Sequence, residues 1–135
     1  MEKNPTARPL GHIPKVLMVE DNDSVAEILS FILRRESFDV WHVPDGRAAE
    51  LHVAERAPPD AVLLDVTLPY VDGFQLITKI RSQPGWDAVP VIMLTGNSEE
   101  SDIARALACG ANDYIVKPFE PKELVARLRQ FLCPD

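Results

Sequence analysis

Short β-branched runs alternate along this chain with longer amphipathic stretches, and that alternation admits little but an α/β fold built on a parallel sheet. The runs are Val16–Val19, Phe38–Val43, Ala61–Leu64, Val91–Leu94 and Tyr114–Val116. After the first, Ser24–Glu36 repeats Val25, Ile28, Leu29, Ile32 and Leu33 at helical spacing, which gives one apolar face. A second helix is expected from Asp45 or Gly46 to near Pro58, with a weak stripe of Ala48, Leu51 and Val53. A third runs from about Asp72 to Arg81 on Phe74, Ile77 and Ile80. Ser98 reads as the N-cap of a fourth, with Glu99 and Glu100 in its first turn and Gly110 just past its end. Pro121 stands near the start of a fifth, which carries Leu124, Leu128, Phe131 and Leu132. The unbroken apolar Ala61–Leu64 suits a strand covered on both faces, whereas Asp39, Trp41 and His42 mark the second run as an edge.

The 135 residues fit one domain, and 46% hydrophobic content suffices for a core. Met1–Pro14, with three prolines and a glycine, reads as a flexible tail, and residues 15–133 as the folded domain. The tail has no apolar h-region, and no stretch approaches the roughly 18–20 apolar residues of a membrane span. A net charge of −7 argues against non-specific nucleic-acid binding, which draws its affinity from Lys and Arg on phosphates. Cys109 and Cys133 lack disulfide or metal-ligand spacing and are expected to be reduced thiols of a cytosolic protein.

Four of the runs end in polar residues: Glu20 and Asp21, Asp65, Thr95, and Lys117. In an open parallel sheet, ligands bind just outside the carboxyl ends of the strands, so these side chains are expected in one crevice. Three carboxylates there repel one another, and the repulsion calls for raised pKa values, a metal or a basic partner. Mg²⁺ prefers one or two carboxylates together with waters and phosphate oxygens. One Mg²⁺ and Lys117 would balance the three negative charges. A carboxylate that accepted a phosphoryl group would add oxygens for the metal, Lys117 and the Thr95 hydroxyl to hold.

Four stretches, Val16-Leu-Met-Val-Glu-Asp21, Leu64-Asp-Val-Thr-Leu-Pro-Tyr-Val-Asp-Gly73, Val91-Ile-Met-Leu-Thr-Gly96 and Gly110-Ala-Asn-Asp-Tyr-Ile-Val-Lys-Pro-Phe119, occur in the order found in one family. From Lys15 to Leu132 the chain resembles the receiver domain of bacterial two-component response regulators. The resemblance implies a flavodoxin-like, doubly wound (βα)₅ fold with a five-stranded parallel sheet in the order 2-1-3-4-5. It implies that Asp65 is the phosphoacceptor and that Glu20, Asp21, Asp65 and the backbone carbonyl of Thr67 hold Mg²⁺. Lys117 would contact the phosphoryl group, with a cis bond to Pro118. Thr95 and Tyr114 match a switch pair: the hydroxyl moves toward the phosphoryl oxygens, and the ring turns into the vacated space. Gly96 would leave room for that ring. Thr67 and Asn97 match positions that tune hydrolysis of the phosphoaspartate. Val71 stands where a bulkier Met or Leu is common.

The implied partners are a sensor histidine kinase or a histidine phosphotransfer protein, and a downstream protein or C-terminal output domain. The implied signalling surface is the face of the fourth helix, fifth strand and fifth helix. Asp113, Arg127 and Arg129 resemble charged positions used for a phosphorylation-dependent homodimer, although Ile103 replaces the usual basic residue there. The implied role is signalling rather than enzymatic, apart from assistance to the domain's own phosphoryl transfer and autodephosphorylation. Other readings are a stand-alone phosphate shuttle and a phosphorylation-independent interaction module. An aspartate-nucleophile hydrolase would need an acid where Thr67 stands. A flavin module would need a Ser/Thr/Gly loop where Glu20–Asp23 stands. Within this chain no helix-turn-helix follows the receiver, so direct contact with DNA is not expected of it; a longer parent remains compatible.

Overall fold

The computed structural model describes residues 13–66, 72–96 and 100–132, the side chains of 100–102 excepted. Five strands and five helices alternate: β1 (Lys15–Val19), α1 (Asp23–Arg35), β2 (Asp39–Val43), α2 (Gly46–Glu55), β3 (Ala61–Asp65), α3 (Gly73–Ser82), β4 (Val91–Thr95), α4 (Glu100–Ala108), β5 (Asp113–Val116) and α5 (Pro121–Leu132). All neighbouring strands are parallel, in the order β2-β1-β3-β4-β5. The sheet is therefore the doubly wound one anticipated above. Asp39 N–H bonds to the Pro14 carbonyl at 2.8 Å, so the sheet's hydrogen bonding reaches one residue ahead of β1.

Strand alternation sends side chains to two cores. Leu17, Val19, Val62, Leu64, Val91 and Met93 pack against α2 and α3. Val16, Met18, Leu63, Ile92, Leu94 and Ile115 pack against α1 and α5. Ala61–Leu64 is wholly buried, as a strand covered on both sides must be. At the edge, Asp39 is exposed and Trp41 and His42 are half-buried. No helix among the described residues is long and apolar enough to cross a membrane.

Among the described residues, three helices begin with Asx caps. Asn22 accepts from Val25 N–H at 3.1 Å, Asp45 from Ala48 N–H at 2.8 Å, and Asp72 from Gln75 N–H at 2.8 Å. The Asn22 cap starts α1 at Asp23, one residue before the expected Ser24. The expected cap at Ser98 lies outside the described residues. Gly110 follows α4 with φ +116°, a conformation that favours glycine. Its carbonyl accepts from Arg81 Nε at 3.0 Å and Nη2 at 2.8 Å. The same guanidinium reaches the carbonyls of Trp86 and Val89, at 3.1 and 2.7 Å, and Asn112 Oδ1 at 2.7 Å. It thus fastens α3 to the turns that precede β4 and β5.

Two apolar stripes differ from expectation. On α1 the buried residues are Ala26, Leu29, Ser30 and Leu33, while Ile28 is 59% exposed. On α2 they are Gly46, Ala49, His52 and Val53, while Leu51 is 58% exposed. Both buried faces thus include small residues, Ala26 and Ser30 on α1 and Gly46 and Ala49 on α2. His52 is buried edge-on against Trp41 and Trp86, at ring separations of 5.1 and 6.2 Å. Lys15 Nζ and the Arg56 guanidinium lie 4.5 and 4.3 Å from the Trp41 ring centre.

Burial, reinforced by the charges of Lys15 and Arg56, holds the His52 pKa below its ordinary 6.5. A base depressed in this way binds its proton more readily in the unfolded chain. Its stabilising contribution is whole above pH 6.5 and is lost as pH falls below that value. The thermal midpoint is expected to fall between about pH 7.5 and about pH 5.5, and His52→Phe to flatten much of that fall. An equally steep profile in the variant would assign the loss to other groups.

Candidate functional site

Register brings the polar strand ends together. Val19 pairs with Leu64, so Glu20, just past β1, stands beside Asp65, the last residue of β3. Asp65 pairs with Leu94, which sets Thr95 at the end of β4 one step farther along. Thr95 pairs with Val116, and Lys117 N–H bonds to the Thr95 carbonyl at 2.7 Å, so β5 delivers Lys117 to the same edge. One carboxylate oxygen each of Glu20, Asp21 and Asp65 lie within 4.8 Å of one another. Lys117 Nζ donates to Asp65 Oδ2 at 3.0 Å and lies 3.6 Å from Glu20 Oε1. The Lys117–Pro118 peptide is cis.

The electrostatics are unbalanced. Burial raises the Glu20 pKa, and the Asp65 charge raises it further; Lys117 offsets only part of this. Burial pulls the Lys117 ammonium down, but the hydrogen bond and charge of Asp65, with help from Glu20, outweigh it and leave its pKa raised. Glu20 is 1% exposed, and its Oε1 is buried without a hydrogen-bond partner. A buried carboxylate oxygen left unbonded is costly, and a cation at this position would satisfy it. The donors are all hard oxygens, which suit Mg²⁺ or another hard cation. Asp21 is exposed, so a bound ion would keep a side open to water and to substrate oxygens.

Other expected site residues are distributed unevenly. Thr67 and Asn97 lie outside the described residues. Tyr114 is half-buried on β5, in register with Met93. A Cβ built at Gly96 would meet nothing within 4 Å among the described residues. Arg127 Nη1 pairs with Asp113 at 2.7 Å and reaches the Tyr114 carbonyl at 3.2 Å. Arg129 departs from the grouping expected of it: it pairs with Glu36, at the end of α1, at 2.7 Å. Residues two apart on a helix point to nearly opposite sides, so Arg127 and Arg129 cannot share the β5 face.

Two contributors were not identified from the sequence. A Cβ at Gly73 would sit 2.8 Å from both the Asp65 carbonyl oxygen and the Val66 Cα, so α3 starts in direct contact with the backbone of Asp65. His42 Nε2 lies 2.7 Å from the Glu20 carbonyl oxygen. The Asp-Gly pair carried a local signal for Gly73 as a helix start. Nothing local signals the His42 contact, which depends on the β1–β2 register.

The family described as “Response regulator receiver domain” matches residues 16–129. This chain belongs to that family. The receiver is 42% identical over 120 residues to the phosphate regulon transcriptional regulatory protein PhoB of Rhizobium meliloti, covering 89% of this chain and 52% of that protein. It is 44% identical over 115 residues to the DNA-binding response regulator MtrA of Mycobacterium tuberculosis H37Rv, covering 85% of this chain and 49% of that protein. The chain thus spans about half the length of these curated relatives. Among solved structures, the chemotaxis response regulator CheY4 of Vibrio cholerae superposes with a TM-score of 0.83 at 32% identity, covering 90% of this chain and 100% of that one. The receiver domain of sensor histidine kinase PA1611 from Pseudomonas aeruginosa, solved with a magnesium ion coordinated in its active-site cleft, gives 0.81 at 34% identity, covering 89% and 98%.

Substituting Gly73→Ala is expected to cost the receiver about 1–3 kcal/mol, because both opposing atoms belong to the backbone. A denaturation midpoint equal to the parent's would show that the α3 start yields easily. Glu20→Gln removes a buried charge whose raised pKa makes the folded state less stable as pH rises past 4.5. Without Mg²⁺ at neutral pH it is expected to stabilise the receiver by about 1 kcal/mol, or about 2–5 °C in Tm. A lower Tm would mean that Lys117 fully compensates Glu20.

Proposed function

We propose that this receiver accepts a phosphoryl group on Asp65 from the phosphohistidine of a sensor histidine kinase or a histidine phosphotransfer protein. The supporting observation is the single ammonium of Lys117 set between the buried carboxylates of Asp65 and Glu20. Three carboxylates exceed what one lysine neutralises, and the surplus suits a divalent cation. Glu20, Asp21, Asp65 and the Thr67 carbonyl would hold Mg²⁺, which when bound offsets the negative charge of the incoming phosphoryl oxygens.

An Asp65 carboxylate oxygen attacks the phosphorus in line, the P–N bond breaks, and the imidazole leaves with the electron pair. Lys117, already hydrogen-bonded to Asp65, is placed to follow the charge onto a phosphoryl oxygen. The Thr95 hydroxyl swings toward another oxygen, and the Tyr114 ring takes the space beside it. This links the site to the α4–β5–α5 face. Thr67 and Asn97, at positions that tune hydrolysis in the family, would set how fast water removes the group, so the receiver assists both its own phosphorylation and its autodephosphorylation.

The output is a partner protein or a C-terminal domain beyond residues 15–133. The half-length match to regulators named as transcriptional or DNA-binding favours the latter. A phosphorylation-dependent homodimer would draw on the charged pair of Asp113 and Arg127. The receiver itself touches neither nucleic acid nor membrane, and works in the cytoplasm.

Intact mass after treatment with an acyl phosphate is the direct test. One added phosphoryl group is expected, dependent on Mg²⁺ and absent in Asp65→Asn. Labelling of that variant at the parent's level would remove Asp65 from the mechanism. Lys117→Ala is expected to bind Mg²⁺ yet fail to change the environment of Tyr114 on phosphorylation, read from its ring resonances. A parent-like change would remove Lys117 from the coupling.

A further inference from the structure

β1 must deliver Glu20 and Asp21 to the site, and edge strand β2 grips its exit at two consecutive points. Glu20 N–H donates to the Val43 carbonyl at 3.2 Å, continuing the ladder past the last pair, Val19–Val43. The Glu20 carbonyl lies 2.7 Å from His42 Nε2. A carbonyl only accepts, so Nε2 carries the proton and donates. β2 ends at Val43 and Pro44 follows, so the imidazole extends the line of donors one place beyond the strand. The accepting carbonyl belongs to the peptide that joins Glu20 to Asp21. Glu20 is held a third time through its side chain, because Asn22 N–H donates to Glu20 Oε2 at 3.2 Å.

We infer that His42 is a positioning residue for the acidic pair: its Nε2–H fixes the Glu20–Asp21 peptide plane and so aims the Asp21 carboxylate at the cation. This rests on the metal-dependent reading of the site given above. The physical reason is orientation. Glu20 is buried and its backbone is confined by β1, but Asp21 is exposed and leaves the strand without ladder support. Rotation of the shared peptide would turn Asp21 away from Asp65 while leaving Glu20 in place. Groups that orient metal ligands from outside the coordination sphere typically account for about 10–100-fold in affinity. An indirect hold through one peptide belongs at the lower end, about 10-fold.

Two variants separate positioning from packing. His42→Phe keeps a ring of similar size and removes the donor. His42→Gln places an amide N–H close to where Nε2 stood. The first readout is hydrogen exchange at the Asp21 and Asn22 amides without metal; the second is Mg²⁺ affinity, followed by the amide resonances. His42→Phe is expected to speed exchange and to weaken Mg²⁺ binding about 10-fold, while His42→Gln stays within about twofold of the parent on both. Parent-like exchange or parent-like affinity in His42→Phe would overturn the proposal, as would equal losses in both variants, which would mark a packing role. A parent that binds no Mg²⁺ would defeat the metal reading of the site and this inference with it, whereas a parent that binds Mg²⁺ alongside an indifferent His42→Phe would defeat this inference alone.

Discussion

A carboxylate withdrawn from water needs a cation, and in this receiver the counter-charge to Asp65 and Glu20 comes from more than fifty residues away along the sequence. Lys117 reaches Asp65 only because β5 lies beside β4, β4 beside β3, and all run the same way. Each ladder fixes the next strand's end to within one residue. A register slip of one residue at any of them would turn the terminal side chain to the other face. The ion pair is therefore a readout of the β3–β4–β5 register. A domain that forms it has β3, β4 and β5 correctly placed.

That pair is also insufficient. Lys117 satisfies Asp65 and partly shields Glu20, yet burial keeps the Glu20 carboxylate at a raised pKa with one oxygen unbonded. Such a site is less stable than an apolar one would be, and perturbed groups of this kind cluster where function demands them. This surplus of buried negative charge lies at the carboxyl edge of the sheet. Below it, the strands are sealed between two apolar layers. The stable interior holds the unfavourable charges close enough together to capture a cation.

Much of this was legible in the sequence, because it depends on period and position. Glu20, Asp65, Thr95 and Lys117 each end an apolar run, and the carboxyl-edge rule for parallel sheets collects them without further information. The helix faces were harder. On α1 and α2 the buried faces include small residues, Ala26, Ser30, Gly46 and Ala49, beside Leu29, Leu33, His52 and Val53, and Ile28 and Leu51 are left exposed. Periodicity alone ranks the large residues first and so rotated both stripes. Arg129 was grouped with Arg127 through the family resemblance, though helix geometry turns it toward α1. His42 looked like an ordinary polar residue of an edge strand. Its contact with Glu20 arises from pairing between segments far apart in sequence, which no local pattern encodes.

At the end of the sheet away from Lys117, one guanidinium holds four partners. Arg81 ties the end of α3 to the Trp86, Val89 and Gly110 carbonyls and to the Asn112 side chain, so the turns that enter β4 and β5 are fastened to a common point. Among the described residues the carboxyl edge is held differently, by the Lys117 ion pairs and by bonds between neighbouring strand ends. Mechanically the domain resembles a fan pinned at its base. The roots of β4 and β5 share that one anchor, so a change at Arg81 would loosen both strand entries together, at the end of the sheet farthest from the carboxylates.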